Sequence, residues 1–391
     1  MFRDGLTFIN AQMGGDTTTL RIRGSSIAAL GAAPHAGDRV IDLQGDRLLP
    51  GLINAHDHLQ LNNLPDLESV THYRHVREWI ADINTRRGSD PAFEARVAVP
   101  RDERLAIGGM KNLLSGVTTV AHHDPLYPDL LNPCFPTRVV TDYGWSHSLY
   151  MDGEQKVRSV YQSTPPEWPW IIHAAEGLDQ EAGNEFERLD ALGCLGPNTL
   201  IVHGVALDRA QRLRLERARA GLIWCPSSNL RLFGRTADIT DLLAAGRVAL
   251  GTDSRLSGAR DLLEELGVAA EAGRLDDPTL QSLVTHHSAR LLRLSDRGTL
   301  RAGARADILI LPANMPLARA RRTDVRLVLL AGIARYGDKD YALSTAPISH
   351  WVEVRVDGRT KMLDTSLAAI LSNASASAEG LELVNVTWRA A

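Results

Sequence analysis

Four short apolar runs each end in a side chain able to bind a metal or move a proton. PGLINAHDHL places His56 and His58 two residues apart; WIIHAAEG carries His173 with Glu176 three positions on; LIVHGVAL carries His203; VALGTDS carries Asp253. Along a strand, side chains two apart share a face, so two neutral imidazoles at that spacing can chelate one divalent ion. An HxH pair alone also suits two surface histidines in a loop. Four runs with the same kind of ending are what a parallel barrel needs, because each of its strands offers a group at its carboxyl end to one shared pocket. Of thirteen histidines, His35, His72, His75, His147, His286, His287 and His350 lack strand-end context and read as surface or packing residues. His122 and His123, in TTVAHHDP, end a further run and are open to either reading.

To bring these residues together, the chain must supply parallel strands. Residues 1–49 read as short strands (6–9, 20–22, 27–30 and 40–43) between Gly- and Asp-containing turns. From residue 49 onward, apolar runs at 51–55, 117–121, 171–174, 200–202, 222–225 and 248–251 alternate with amphipathic stretches at 101–114, 184–192, 208–218, 260–272 and 279–292. That alternation predicts βα units around buried parallel strands. Strand texture returns after residue 297, in GTLRAGARADILIL and at 325–330 and 352–356, so the chain comes back to complete the opening sheet. The predicted organisation is a barrel over 50–296, a small β-sandwich from 1–49 plus 297–360, and a helix with a tail over 361–391. Only about fifty residues separate the runs at 120 and 171, too few for two full units at roughly thirty residues per βαβ step. The third and fourth units are therefore expected to be shortened, with a third strand at 137–141, a helix at 153–162 and no clear fourth strand.

Composition sets the class of partner. With 391 residues, 44% hydrophobic and 23% charged, the chain can bury a large core. A net charge of −4 offers no field for a polyphosphate backbone, so nucleic acid is not an expected partner. No run of eighteen apolar residues occurs, and MFRDGLTFINAQ lacks a leader's apolar stretch, so no membrane partner is expected. Cys134, Cys194 and Cys225 are far apart without CxxC spacing, which points to a reducing, cytoplasmic compartment. Neither HExxH nor the H-x-E with P-C-x-x-C of the cytidine deaminase fold is present, and no glycine-rich phosphate loop follows a strand.

PGLINAHDH, WIIHAAEG, LIVHGVAL, WCPSSNLRL and VALGTDS, in that order and followed by GTLRAGARADILIL, resemble the amidohydrolase superfamily. The match is to its mononuclear-metal deaminase and chlorohydrolase branch, which includes guanine, cytosine and S-adenosylhomocysteine deaminases and the triazine hydrolases. The resemblance spans about residues 20–312. It implies an α/β fold, a distorted (β/α)8 TIM-type barrel with a β-sandwich built from both termini, as the organisation above suggests. It further implies metal ligands at His56, His58, His173 and Asp253, a proton shuttle at Glu176, and a histidine at His203 that polarises the substrate or orients the water. Asp253 would also accept the water's proton. The cofactor implied is one divalent ion, zinc or iron, which can bring the pKa of a bound water from 15.7 to about 7.

The expected reaction is hydrolytic deamination of a small amino-substituted nitrogen heterocycle, with water as the second substrate and a homodimer as an ordinary assembly. The same hydroxide would serve amide, urea or aryl chloride hydrolysis, and a relative serving only as an interaction protein is the reading from another class. Binuclear members bridge two metals with a lysine at the fourth strand. Of the four lysines (Lys111, Lys156, Lys339 and Lys361), only Lys156 is near that place, and its neighbours read as helix. Gln60 stands away from the glutamine that contacts substrate in related deaminases. Trp79, Trp145 and Phe233 could stack on a flat substrate or simply pack, and Asn229 in the CPSSN turn is expected to fix backbone.

Overall fold

The computed structural model describes residues 5–65, 72–372 and 378–384. Eight parallel strands surround the centre: Leu52–Asp57, Val117–His122, Arg138–Val139, Gly144–Ser148, Trp170–Ala174, Thr199–His203, Gly221–Trp224 and Val248–Leu250. The first three form one sheet and the last five another. The gap between first and eighth strands is stitched beyond the strand ends, where His56 O accepts the N–H groups of Thr252 and Asp253 at 3.0 and 3.1 Å. Among the described residues no ladder joins the third and fourth strands. The barrel is thus distorted at the shortened units, and the fourth strand that the sequence hides is Gly144–Ser148.

These strands are buried because both faces are covered. Ile53, Ala55, Ala121, Ile171, Leu200, Val202, Ile223 and Ala249 pack inside the barrel. Leu52, Val117, Ile172, Ile201, Leu222, Trp224 and Leu250 face the surrounding helices. Alternation along each strand produces the two layers. The helix Arg101–Leu114 lies where the apolar spacing puts it. Residues 279–292 do not form one helix: Asp277–Leu283 and His286–Leu291 are separated at Val284, whose carbonyl instead accepts the N–H of Ile53 on the first strand at 2.8 Å. Two helices that the sequence did not announce, Val76–Arg87 and Pro91–Val97, lie between the first strand and Arg101–Leu114.

Both ends of the chain contribute to a second, eleven-stranded sheet, in which Ile308–Leu311 pairs antiparallel with Arg47–Pro50. Residues 361–364, expected as helix, lie in the strand Arg359–Asp364; the helix is Thr365–Ser372, and Leu381–Leu383 adds an edge strand. The remainder of the expected tail, 385–391, falls outside the described residues. This sheet grips the barrel through buried Arg322, whose Nε donates to Asp261 at 2.6 Å and whose Nη1 donates to the Glu379 carbonyl at 2.8 Å. The Glu379 carboxylate pairs with Arg255 at 3.0 Å, and Asp357 pairs with Arg260. The loop following Asp253 is therefore anchored by the far end of the chain. No helix among the described residues is long and apolar enough to cross a membrane.

Candidate metal and proton-transfer site

His56 and His58 leave the first strand on one face, and His173 approaches from the fifth. The Nε2 atom of His173 stands 3.2 Å from that of His56 and 3.4 Å from that of His58. Asp253 Oδ1 lies 3.8 Å from His56 Nε2 and 3.7 Å from His58 Nε2. His56, His173 and His203, and likewise His56, His58 and Asp253, present donor atoms within 4.8 Å of one another. Tetrahedral coordination with bonds of about 2.0–2.1 Å sets donor atoms ~3.3–3.4 Å apart, so this spacing fits a single divalent ion.

Hydrogen bonds on the far side of His173, His58 and His203 orient these three rings toward the centre. His173 Nδ1 donates to the His147 carbonyl at 2.8 Å, and His58 Nδ1 faces Asp124 Oδ2 at 2.7 Å. His203 Nδ1 meets Asn229 Oδ1 at 2.8 Å, and the Asn229 amide is itself oriented by its Nδ2 donating to Thr236 at 3.1 Å. Outer partners of this kind fix the tautomer and strengthen the ring as a donor to metal. Burial and mutual repulsion among the rings hold His56 and His173 well below the usual imidazole range, so both rings are neutral. His58 differs: burial disfavours its charge, but Asp124 outweighs that and raises the ring to about 9. The same carboxylate makes His58 the most basic donor of the set.

Asp253 turns Oδ1, which accepts a single hydrogen bond, toward the histidines. Its Oδ2 accepts the hydroxyls of Ser228 and Ser257 at 2.7 and 3.0 Å, and its Oδ1 accepts the Ser254 N–H at 2.7 Å. Burial works against its ionisation, but His203, His58 and the Ser228 hydroxyl together keep it below the usual carboxylate range. Glu176 goes the other way. Burial, then the charges of Asp253 and Glu185, lift it well above that range, which favours its protonated form. Its Oε1 stands 3.4 Å from His203 Nε2. Two carboxyl groups with pKa values pushed apart are the pattern of paired base and acid.

The backbone at these strand ends is strained. Ala175, His203 and Asp253 have φ of 54°, 72° and 55°, left-handed values that cost a non-glycine residue about 1–2 kcal/mol each. Beneath the first strand, Lys111 donates to Asn62 Oδ1 at 2.8 Å and lies 3.4 Å from Asp57, the residue between the two histidines. Asp57 also accepts from Asn62 and Asn112 at 2.7 and 2.8 Å. Lys111 Nζ and Asn54 Nδ2 both reach Thr252 Oγ1, at 3.2 and 2.9 Å, tying the first strand to the residue before Asp253.

All six predicted residues meet at one place, but several neighbours were misread. His147, taken as surface or packing, lies at the end of the fourth strand with its ring centroid 4.9 Å from that of His173. Asn229 and Ser228 do more than shape a turn, since their side chains bond His203 and Asp253. Asp124 was not singled out at all. Gln60 donates to Asp124 at 2.6 Å and so supports His58 indirectly. Of the ambiguous pair, His123 enters the barrel, its ring 4.3 Å from that of His173, while His122 is buried behind the loop after the first strand, 3.4 Å from Leu59 N. Trp79 and Phe233 pack together at the rim, and Trp145 lies 5.5 Å from His123.

The model of the amidohydrolase family matches residues 170–354. A 5-methylthioadenosine/S-adenosylhomocysteine deaminase of Pelotomaculum thermopropionicum is 33% identical over 352 residues, covering 76% of this chain and 80% of the relative. One from Natronomonas pharaonis is 31% identical, covering 78% and 85%. An 8-oxoguanine deaminase of Pseudomonas aeruginosa is 34% identical over 152 residues, covering 35% of this chain and 34% of its own. Among solved structures, a triazine hydrolase variant superposes with a TM-score of 0.69 at 20% identity, covering 85% and 94%. An adenosine deaminase from Xanthomonas campestris with bound zinc gives 0.67 at 20% identity, covering 81% and 88%; both show the same fold.

Proposed function

The chain belongs to the amidohydrolase family, and on that premise we propose that it removes the exocyclic amino group of a small nitrogen heterocycle by metal-dependent hydrolysis, releasing ammonia. His56, His58, His173 and Asp253 are the residues that would hold the ion, and zinc suits three imidazoles with one carboxylate. When bound, the ion acidifies a water and polarises the carbon to be attacked.

The chain's own groups then move the protons. Asp253, ionised and anchored by two serine hydroxyls, takes the proton that water loses as its oxygen bonds to the amino-bearing carbon. Glu176 gives its proton to the adjacent ring nitrogen as that carbon becomes tetrahedral. His203, whose Nδ1–H is held by Asn229, presents its Nε2 lone pair to the attacking water and, by accepting a hydrogen bond from it, fixes its direction. Glu176, now a carboxylate, takes the hydroxyl proton of the tetrahedral carbon and passes it to the amino nitrogen; the C–N bond breaks to leave an oxo-heterocycle and ammonia, and the proton held by Asp253 returns to Glu176. The three unpaired cysteines suit a reducing compartment, so the reaction is assigned to the cytoplasm.

The observation that carries this reading is the buried Glu176 carboxyl held 3.4 Å from His203 beside the convergent donor set. An ammonia-release assay over aminopurines, aminopyrimidines, aminopterins and aminotriazines with zinc-loaded protein tests it. Turnover of at least one class is expected; no ammonia from any of them overturns the assignment.

A further inference from the structure

Glu176 is useful only if its carboxyl is delivered to one place, and the turn that delivers it begins at a residue in an unfavourable conformation. Ala175 has φ of 54°, a region that its methyl group disfavours, so something outside the turn must hold it there. Its N–H points away from the pocket and donates to Oε2 of Glu185 at 2.9 Å. Glu185 belongs to the helix Gln180–Ala191 and is 3% exposed. On the other side, Ala175 O accepts the Ala206 N–H at 2.9 Å, and Glu176 O accepts the Val76 N–H at 3.2 Å. Gly177 then passes so close to Arg74 and His75 that a Cβ there would lie 2.8 Å from the Arg74 carbonyl. The other contacts are made by backbone groups; among the described residues, Glu185 is the one side chain bonded to the strained residue's amide.

We propose that Glu185 is a positioning residue for the proton shuttle: its carboxylate holds Ala175 in the left-handed conformation and thereby aims Glu176 at His203 and the reacting nitrogen. The inference rests on the reading of Glu176 as the shuttle. Glu185 touches neither the donor set nor the pocket, so its effect falls on the proton-transfer rate and spares ion binding.

The test compares Glu185→Gln, Glu185→Asp and Glu185→Ala in zinc-loaded protein, using whichever aminoheterocycle the wild type turns over. Gln keeps an acceptor oxygen at the same reach and holds kcat within about twofold. Asp keeps the charge but withdraws the acceptor, and Ala removes it; both lower kcat on the order of 10- to 100-fold with KM and zinc per chain unchanged, the scale of a small misplacement of a catalytic group. Glu185→Ala combined with Ala175→Gly recovers part of the rate, since glycine adopts this φ unaided. Amide hydrogen exchange at Ala175 is read in the same proteins without substrate: slow in wild type and Gln, faster in Asp and Ala. Wild-type kcat in Glu185→Asp, or loss of zinc in step with rate, overturns the proposal. A wild type that shows the protected amide yet deaminates nothing sinks the functional reading and leaves the positioning bond standing.

Discussion

A carboxyl in this site does one of two jobs according to what surrounds it. Asp253 accepts two serine hydroxyls and a backbone N–H and is held below the usual carboxylate range; Glu176, buried beside Asp253, is lifted above it. The two positions therefore respond differently to substitution. His173→Ala removes a donor from the centre of the set, and both bound zinc and activity are expected to fall together. Glu176→Gln retains size and a polar head but cannot shuttle a proton, so zinc per chain stays at the wild-type value while kcat falls about 10²–10⁴-fold. Elemental analysis beside initial rates separates the two. A Glu176→Gln protein with wild-type kcat removes Glu176 from the mechanism.

At the scale of elements, what could be read in the sequence was whatever ended a long apolar run. His56, His173, His203 and Asp253 follow such runs, so their convergence was legible before any coordinates. The fourth strand was not, because GWSHS places Ser146 and His147 where other strands carry Val or Ile, and it makes no ladder with its two-residue third neighbour. His147 was lost with it. The helix Val76–Arg87 was hidden for a related reason: none of its residues is fully buried, so no periodic stripe marks it. Asp124 follows a readable strand, but its task depends on a partner sixty-six residues earlier, which spacing cannot show. Lys111 is a similar case, a cation in the buried second half of the helix Arg101–Leu114 whose counter-charge lies on the first strand. Lys111→Met leaves Asp57 charged in a buried place, and urea unfolding is expected to show a loss of about 3–5 kcal/mol. Asp57→Asn in the same chain should return most of it; if the double variant is no more stable than Lys111→Met, the pair is not what supports the first strand.

For the molecule as a whole, buried carboxyls set how stability varies with pH. Glu265 is fully buried on the helix Leu262–Gly273, with Oε1 accepting the Ser227 N–H at 2.9 Å, and burial pushes it up to about 8. Because its folded pKa lies above its unfolded one, the stability it contributes is full below about pH 4.5 and is lost as pH rises through about 8. Glu185, raised to about 7 by burial, tilts the curve the same way. Glu265→Gln keeps the acceptor without the titration, so its melting temperature should fall less than wild type between pH 5 and pH 9; parallel curves would show that Glu265 titrates normally. The grip of the chain's last described residues on Arg255 and Arg260 has another effect, on timing. A ribosome releases the strands bearing the histidines well before Glu379, so a nascent polypeptide, or one cut short before residue 378, must hold the segment beside Asp253 without its closing clasp.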